Sequence, residues 1–301
     1  MIETNIKFNN ETEKAAFVTQ CETEFEDKLL TVCEEVASHK DLKMITLSGP
    51  TCAGKTTTAN KLISDFALRG KTAHVVSIDD FFKNRGNMVI SKHNKIDYDS
   101  VNAIDLDYFN ECVTALYKGG VVKLPKYDFV TGTRARYDEF RPHEDDILIF
   151  EGIQAIYPEI TGLLNAQNLD YVSVFINVTK DFKLNGAYFD KREIRLIRRI
   201  VRDYKFRSAT PEFTFHIWES VTENEDVNIF PHERTTDIRI NSLLPYEIFL
   251  MKDYLIPILN EVSLDSHYKQ RAEQMIGKVK DFDTISYEHI PKNSLYTEFL
   301  G

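Results

Sequence analysis

The sequence predicts a three-layer α/β fold around a mostly parallel sheet, with a helical extension at each end. Two observations carry this expectation. Short β-rich runs alternate with longer helical ones, and parallel neighbours need such crossovers between strands. A glycine-containing turn also joins the first run of the central region directly to an amphipathic helix, the arrangement found at the ligand edge of parallel sheets.

Taken in chain order, residues 11–39 are acidic and place Phe25, Leu29, Val32 and Val36 at i, i+4, i+7 and i+11, which predicts an amphipathic helix packed on the core. The β-rich runs are 44–48, 73–78, 121–124, 146–150, 171–178 and 237–241. After the first of them, Ala59, Leu62, Ile63, Phe66 and Ala67 form one apolar helical stripe. Beyond Pro245 the chain reads as helical over 246–262 and 267–281. With no internal repeat and no Pro/Gly-rich linker, the expected division is a helical extension over 1–42, a core over 43–245 and a packed helical extension over 246–301.

Composition narrows the functional classes. The 301 residues carry 37 Lys and Arg against 47 Asp and Glu, a net charge of −10, which argues against general binding to nucleic acid or to anionic membranes. Cys21, Cys33, Cys52 and Cys112 are widely spaced, and no His joins a Cys or carboxylate cluster at metal-ligand spacing, so a reduced, cytoplasmic protein is expected. The N-terminus is polar and acidic, and no run approaches the ~18 apolar residues of a membrane span.

Between the first β-run of the core and its helix lies Gly49-Pro50-Thr51-Cys52-Ala53-Gly54-Lys55-Thr56, a full match to G-x-x-x-x-G-K-[ST]. Its glycines allow backbone N–H groups to turn inward, the helix start adds partial positive charge, and Lys55 reaches the outer phosphates. Thr56 is placed to hold Mg²⁺ through its hydroxyl. A P-loop NTPase-type fold follows, and the loop supplies locally the positive field that the acidic chain lacks. The motif by itself leaves a kinase, an ATPase and a GTPase switch open.

The remaining motifs weigh between them. Asn94-Lys95-Ile96-Asp97 has the N-K-x-D spacing of guanine readers, but no strong strand precedes it and no Asp in the chain has Gly three residues later. Ser77-Ile78-Asp79-Asp80-Phe81-Phe82 instead puts carboxylates at a strand end, where Asp79 is fitted to take a proton from an attacking hydroxyl and to position Mg²⁺; Asp80 fits a turn role. The apolar run at 146–150 closes on Glu151, which is like a Walker-B acid that holds the metal or its waters. Arg192, Arg195, Arg198, Arg199 and Arg202 recur at helical spacing opposite Ile194, Ile197, Ile200, Val201 and Tyr204. Such a face is either a solvated surface or a lid that closes on ATP and neutralises phosphoryl charge.

Together, in this order and spacing over roughly residues 43 to 300, these segments resemble the uridine kinase and phosphoribulokinase family of P-loop kinases. GPTCAGKTT is similar to its phosphate loop, SIDDFF to its catalytic-Asp segment, YDSVNAID to its substrate-side aspartate segment, PKYDFVTGTR to its substrate loop, FEGI to its Walker-B acid, and RLIRRIVRD to its lid. The resemblance implies Asp79 as base with Lys55 and Arg198 in catalysis. It implies Gly49, Thr51, Ala53, Gly54, Lys55, Thr56, Thr57 and Arg199 around the nucleotide, and Thr56, Asp79 and Glu151 around Mg²⁺. Asp99 would hold ribose hydroxyls, with Tyr127, Arg134, Arg195 and Arg202 also on the acceptor side. Two departures bear on the acceptor: Gly132 stands where typical uridine kinases carry a pyrimidine-reading His, and Phe82 where they often carry Tyr.

The expected activity is therefore ATP- and Mg²⁺-dependent phosphorylation of the primary hydroxyl of a uridine- or cytidine-like nucleoside. Pantothenate, glycerate or a sugar phosphate is the alternative acceptor, the last kept open by Lys123, Lys126, Arg134 and Arg136 near the substrate loop. A nucleotide-binding regulatory protein is the reading from another class. The expected partner is a small hydroxyl compound, with homo-oligomer formation left open.

Overall fold

The computed structural model describes residues 1–39, 42–88, 98 and 100–301. Asp99 and the Asn94-Lys95-Ile96-Asp97 run lie outside the described residues. In chain order the elements are β1 (Ile2–Thr4), α1 (Glu11–Ser38), β2 (Met44–Ser48), α2 (Lys55–Leu68), β3 (Ala73–Ser77), α3 (Leu106–Tyr117), β4 (Val122–Asp128), β5 (Thr133–Phe140) and β6 (Ile147–Glu151). They continue with α4 (Pro158–Ala166), β7 (Val172–Asn177), β8 (Phe182–Leu184), β9 (Ala187–Phe189), α5 (Lys191–Arg207) and α6 (Pro211–Asn224). The last are β10 (Ile238–Asn241), α7 (Glu247–Asn260), α8 (Lys269–Val279) and the short α9 (Thr297–Leu300).

Five strands form a parallel sheet in the order β10-β7-β2-β6-β3. Every residue of β2 and β6 is buried, which explains why both read as continuous runs rather than as alternating ones. Leu47 of β2 and Ser77 of β3 both pair with Glu151 of β6, so three strand ends finish level at one edge. The chain leaves β2 towards β3 on one side and adds β7 and β10 on the other, which opens a crevice at that edge.

The run at 121–124 departs from expectation. It is part of β4, but β4 pairs antiparallel with β5 in a separate hairpin instead of joining the parallel sheet. Connection length sets the direction of this pair: residues 129–132 are too few for a crossover, so β5 returns antiparallel to β4.

α1 starts at an Asn10 cap, whose side chain accepts from Glu13 N at 2.9 Å while the Glu13 carboxylate accepts from Asn9 N at 2.9 Å. It buries Val18, Cys21, Phe25, Leu29, Val32, Cys33 and Val36 against α2 and the β7–β10 side of the sheet. At the other end of the chain, α7 packs on α5 and α8 packs on α7. α5 is thus enclosed rather than free, which decides where its arginines point.

Candidate active site

The phosphate loop follows β2 without a spacer. A Cβ on Gly49 would lie 2.1 Å from the Ile176 carbonyl oxygen, so only glycine lets the loop pass the end of β7. Gly54 has φ 93°, and Cys52 is also left-handed at 56°. These turns bring the chain into α2, whose first-turn N–H groups have no helical partner and form an anion-binding end.

The loop's carbonyls are held from outside by cations. Lys55 Nζ donates to Pro50 O at 3.3 Å, Arg195 Nη1 to Thr51 O at 3.1 Å and Arg198 Nη1 to Cys52 O at 3.2 Å. Across each peptide the following N–H points the other way, and that of Ala53, opposite the Cys52 carbonyl, closes a turn onto Pro50 O at 3.3 Å, so these anchors fix the shape of the loop. Arg195 and Arg198 therefore do not extend from an open lid helix, as their spacing suggested. They are fully buried because α5 is packed between the loop and α7. Arg195 makes two 2.6 Å bonds to Glu225, and Arg198 bonds Glu247 at 2.8 and 2.9 Å. Burial alone would weaken the Arg198 charge, but Glu247 beside it outweighs that and holds the guanidinium charged. Arg199 and Arg202 are less enclosed and share Asp203 at 3.1 and 3.0 Å.

Two carboxylates meet the loop at the level strand ends. Burial raises the Glu151 carboxyl to about 7, with the nearby Asp79 adding to the shift and Lys55 opposing it. Asp79 is likewise raised, first by burial and then by Asp80, again against Lys55. One ammonium thus serves two acids in a shielded place, and both acids are short of positive charge. Thr56, Asp79 and Glu151 are hard oxygen donors of the kind Mg²⁺ takes, and such a cation would stabilise both ionised forms. Among the described residues no group of three or more His, Cys, Asp or Glu side chains forms a metal cluster. This donor set fits an ion held partly by bound phosphate, as Mg²⁺ usually is.

On the acceptor side, Asp80 accepts from Lys126 Nζ at 2.7 Å and from Tyr127 N at 3.1 Å, tying the turn after β3 to the hairpin. Asp80 thus serves a long-range tie to the hairpin rather than the local cap or turn expected of it. Phe82 is buried among Tyr98, Tyr127 and Phe129, with ring centroids 5.4, 5.5 and 6.0 Å away. Burial and the neighbouring Tyr98 hydroxyl push Tyr127 up to about 12, so it stays a neutral phenol. Arg134 spends its guanidinium on Phe81 O and Phe82 O at 3.0 Å and on Asp105 at 2.9 Å. It also lines a cavity of about 190 Å³ with Lys83, Asn84, Asn87, Asp105 and Tyr137.

Arg85 was not singled out by the sequence. Its backbone N–H donates to Gly132 O at 2.8 Å, its side chain to Phe129 O at 2.6 Å and to the Tyr98 hydroxyl at 3.3 Å. Gly132 has φ 71°, and a Cβ there would lie 2.5 Å from Arg85 Nε. An exposed guanidinium thus fills the space that a side chain at 132 would need.

Comparisons with known proteins identify the family. The profile of the "Phosphoribulokinase / Uridine kinase family" matches residues 44–248, from the first residue of β2 into the start of α7. The chain belongs to the phosphoribulokinase / uridine kinase family. Uridine-cytidine kinase A of Dictyostelium discoideum is 29% identical over 204 residues, covering 66% of this chain and 36% of that protein. Inorganic pyrophosphatase TTM1 of Arabidopsis thaliana is 26% identical over 256 residues, covering 82% of this chain and 36% of that protein. The chain thus spans about a third of the length of these two relatives. A uridine kinase of Clostridium novyi is 28% identical over 167 residues, covering 56% of this chain and 71% of that protein.

Within this family's frame, the residues that the motifs missed are Arg85, Glu225, Glu247 and Glu298. Arg85 had no periodic or motif signal, although the glycine at 132 marked a place where something else must fill space. The three acids come from segments distant in sequence, and only folding sets Glu225 against Arg195, Glu247 against Arg198 and Glu298 against Thr57 of α2. No helix among the described residues is long and apolar enough to cross a membrane.

Proposed function

We propose that the chain is an ATP- and Mg²⁺-dependent kinase that phosphorylates the primary hydroxyl of a nucleoside, uridine- or cytidine-like, giving the 5′-monophosphate and ADP. The observation that supports it best is the meeting of Lys55, Asp79 and Glu151 at the edge where β2, β6 and β3 end. Loop N–H groups with Thr51, Ala53, Thr56 and Thr57 would cradle the donor phosphates, and Lys55 would neutralise the outer ones. Mg²⁺ near Thr56 and Glu151 would supply charge neutralisation at the transferring group. Asp79 would take the acceptor's hydroxyl proton as the new O–P bond forms and the bond between the β- and γ-phosphoryl groups breaks. Its burial suits that task, because it raises proton affinity relative to an exposed Asp.

In this reading Arg195 and Arg198 act by holding the loop, while Arg199 is assigned to the nucleotide and Arg202 to the acceptor side from the family pattern alone. Tyr127 and Arg134 shape the acceptor side, and Asp99 is assigned to it from the family pattern alone. A reduced, cytoplasmic setting goes with four free, buried cysteines.

Arg85 supports a second acceptor class. A guanidinium over Gly132 offers a partner for an anionic group, as on a glycerate, a pantothenate or a sugar phosphate. ADP formation from Mg-ATP, measured with nucleosides and with these anionic hydroxyl compounds, tests both classes. Stimulation by uridine or cytidine is expected, lost in Lys55→Ala and reduced roughly 10²–10⁴-fold in Asp79→Asn with ATP binding retained. Stimulation by an anionic acceptor alone would replace the substrate, and ADP formation indifferent to every acceptor and to Lys55→Ala would sink the kinase.

A further inference from the structure

The segment after α8 returns to the phosphate loop. Leu295, Tyr296, Phe299 and Leu300 are buried, and the Lys205 ammonium donates to Leu300 O. The Leu295 side chain covers Gly54 so closely that a Cβ on Gly54 would lie 2.2 Å from Leu295 Cδ1. The Tyr296 hydroxyl accepts from Arg198 Nη2 at 3.5 Å, the same arginine that holds Cys52 O. On this anchored strap sits Glu298, whose Oε2 accepts from Thr57 Oγ1 at 3.3 Å. An acid is thus bonded to the first turn of α2, where a donor phosphate would bind.

This placement runs against the electrostatics of the site. Helix starts favour bound anions, and a fixed carboxylate beside one both occupies a hydroxyl donor and repels an incoming phosphate. Leu295 and Tyr296 hold the backbone before Glu298, so its carboxylate stays within reach of the start of α2.

We propose that Glu298 sets the nucleotide affinity of the donor site, holding the Thr57 hydroxyl and opposing the phosphates of a nucleoside triphosphate until they displace it. The inference rests on the reading of Gly49–Thr56 as the donor-phosphate site. It makes the strap and the nucleotide reciprocal: what frees Glu298 tightens nucleotide, and bound nucleotide loosens Glu298.

Calorimetric titration of the full chain with Mg-ATP and with adenosine tests this, using wild type, Glu298→Gln and Glu298→Ala. Gln keeps the shape and an acceptor oxygen while removing the charge, and thermal melting verifies that each variant is folded. Both variants should bind Mg-ATP roughly three- to tenfold more tightly, as expected for loss of one partly exposed like charge near the phosphates, and bind adenosine as wild type does. Unchanged or weaker Mg-ATP binding in Glu298→Gln overturns the proposal. So does tightening confined to Ala, or equal tightening for adenosine. If wild type binds no Mg-ATP, the donor-site reading itself falls and takes this inference with it, an outcome distinct from a wild type that binds and a variant that does not respond.

Discussion

Arg198 and Glu247 form a fully buried, two-point ion pair, at 2.8 and 2.9 Å, that joins the start of α7 to the middle of α5. The same guanidinium donates to Cys52 O of the phosphate loop and to Ser242 O after β10. One side chain therefore links the loop, the last strand of the sheet and the C-terminal helices. Its fixed charge and planar fork suit this task better than a lysine would.

Removing only the cation should be costly. Arg198→Met leaves Glu247 buried and unpaired, so urea unfolding should show a loss of about 3–5 kcal/mol. Arg198→Met combined with Glu247→Leu should recover much of that loss while nucleotide affinity stays low, because Cys52 O still lacks its donor. A single variant as stable as wild type would show that the pair is not holding these elements together.

Gly132 and Arg85 should respond as a pair. In Gly132→Ala the backbone at φ 71° is strained and the new methyl meets Arg85, so stability should fall by about 1–3 kcal/mol and acceptor use should weaken. Arg85→Ala in that background removes the steric part but not the backbone part. Partial rescue of stability is therefore expected, and no rescue would mean that Arg85 does not fill the space over residue 132.

Glu151 should give the ligand-free chain a pH signature. With its carboxyl raised from 4.5 to about 7, the folded state keeps a proton that the unfolded state releases between those values. The contribution is thus most favourable below about pH 4.5 and is lost as pH rises through about 7, the opposite of a salt-bridged acid. Chemical unfolding at several pH values should show this slope in wild type and a shallower one in Glu151→Gln. Equal slopes would mean that Glu151 ionises normally in the fold.

Much of the framework was legible in local sequence. The runs at 44–48, 73–78, 146–150, 171–178 and 237–241 supply the five strands of the parallel sheet: β2 and β6, buried on both faces, read as apolar throughout, while the edge strand β10 alternates and leaves Arg239 exposed. The amphipathic spacing of α1 and α2 was readable for the same kind of reason, one face being buried. The phosphate loop was legible because its chemistry needs particular residues at fixed spacing. By itself, then, the sequence determined the α/β class, the family and the candidate chemistry of Lys55, Asp79 and Glu151.

Only the tertiary structure decided what surrounds that chemistry. Arginine spacing on a helix looks the same whether the helix faces solvent or lies between the loop and α7, and it was packing that turned Arg195 and Arg198 inward. The run at 121–124 had the composition of any strand, yet it pairs with β5 in a separate hairpin. Arg85 met Gly132, and Glu298 met Thr57, across 47 and 241 positions of chain by subtraction of their residue numbers, with no local pattern to mark either pair. Periodicity reports only which face of an element is buried, whereas these contacts depend on which other element covers it.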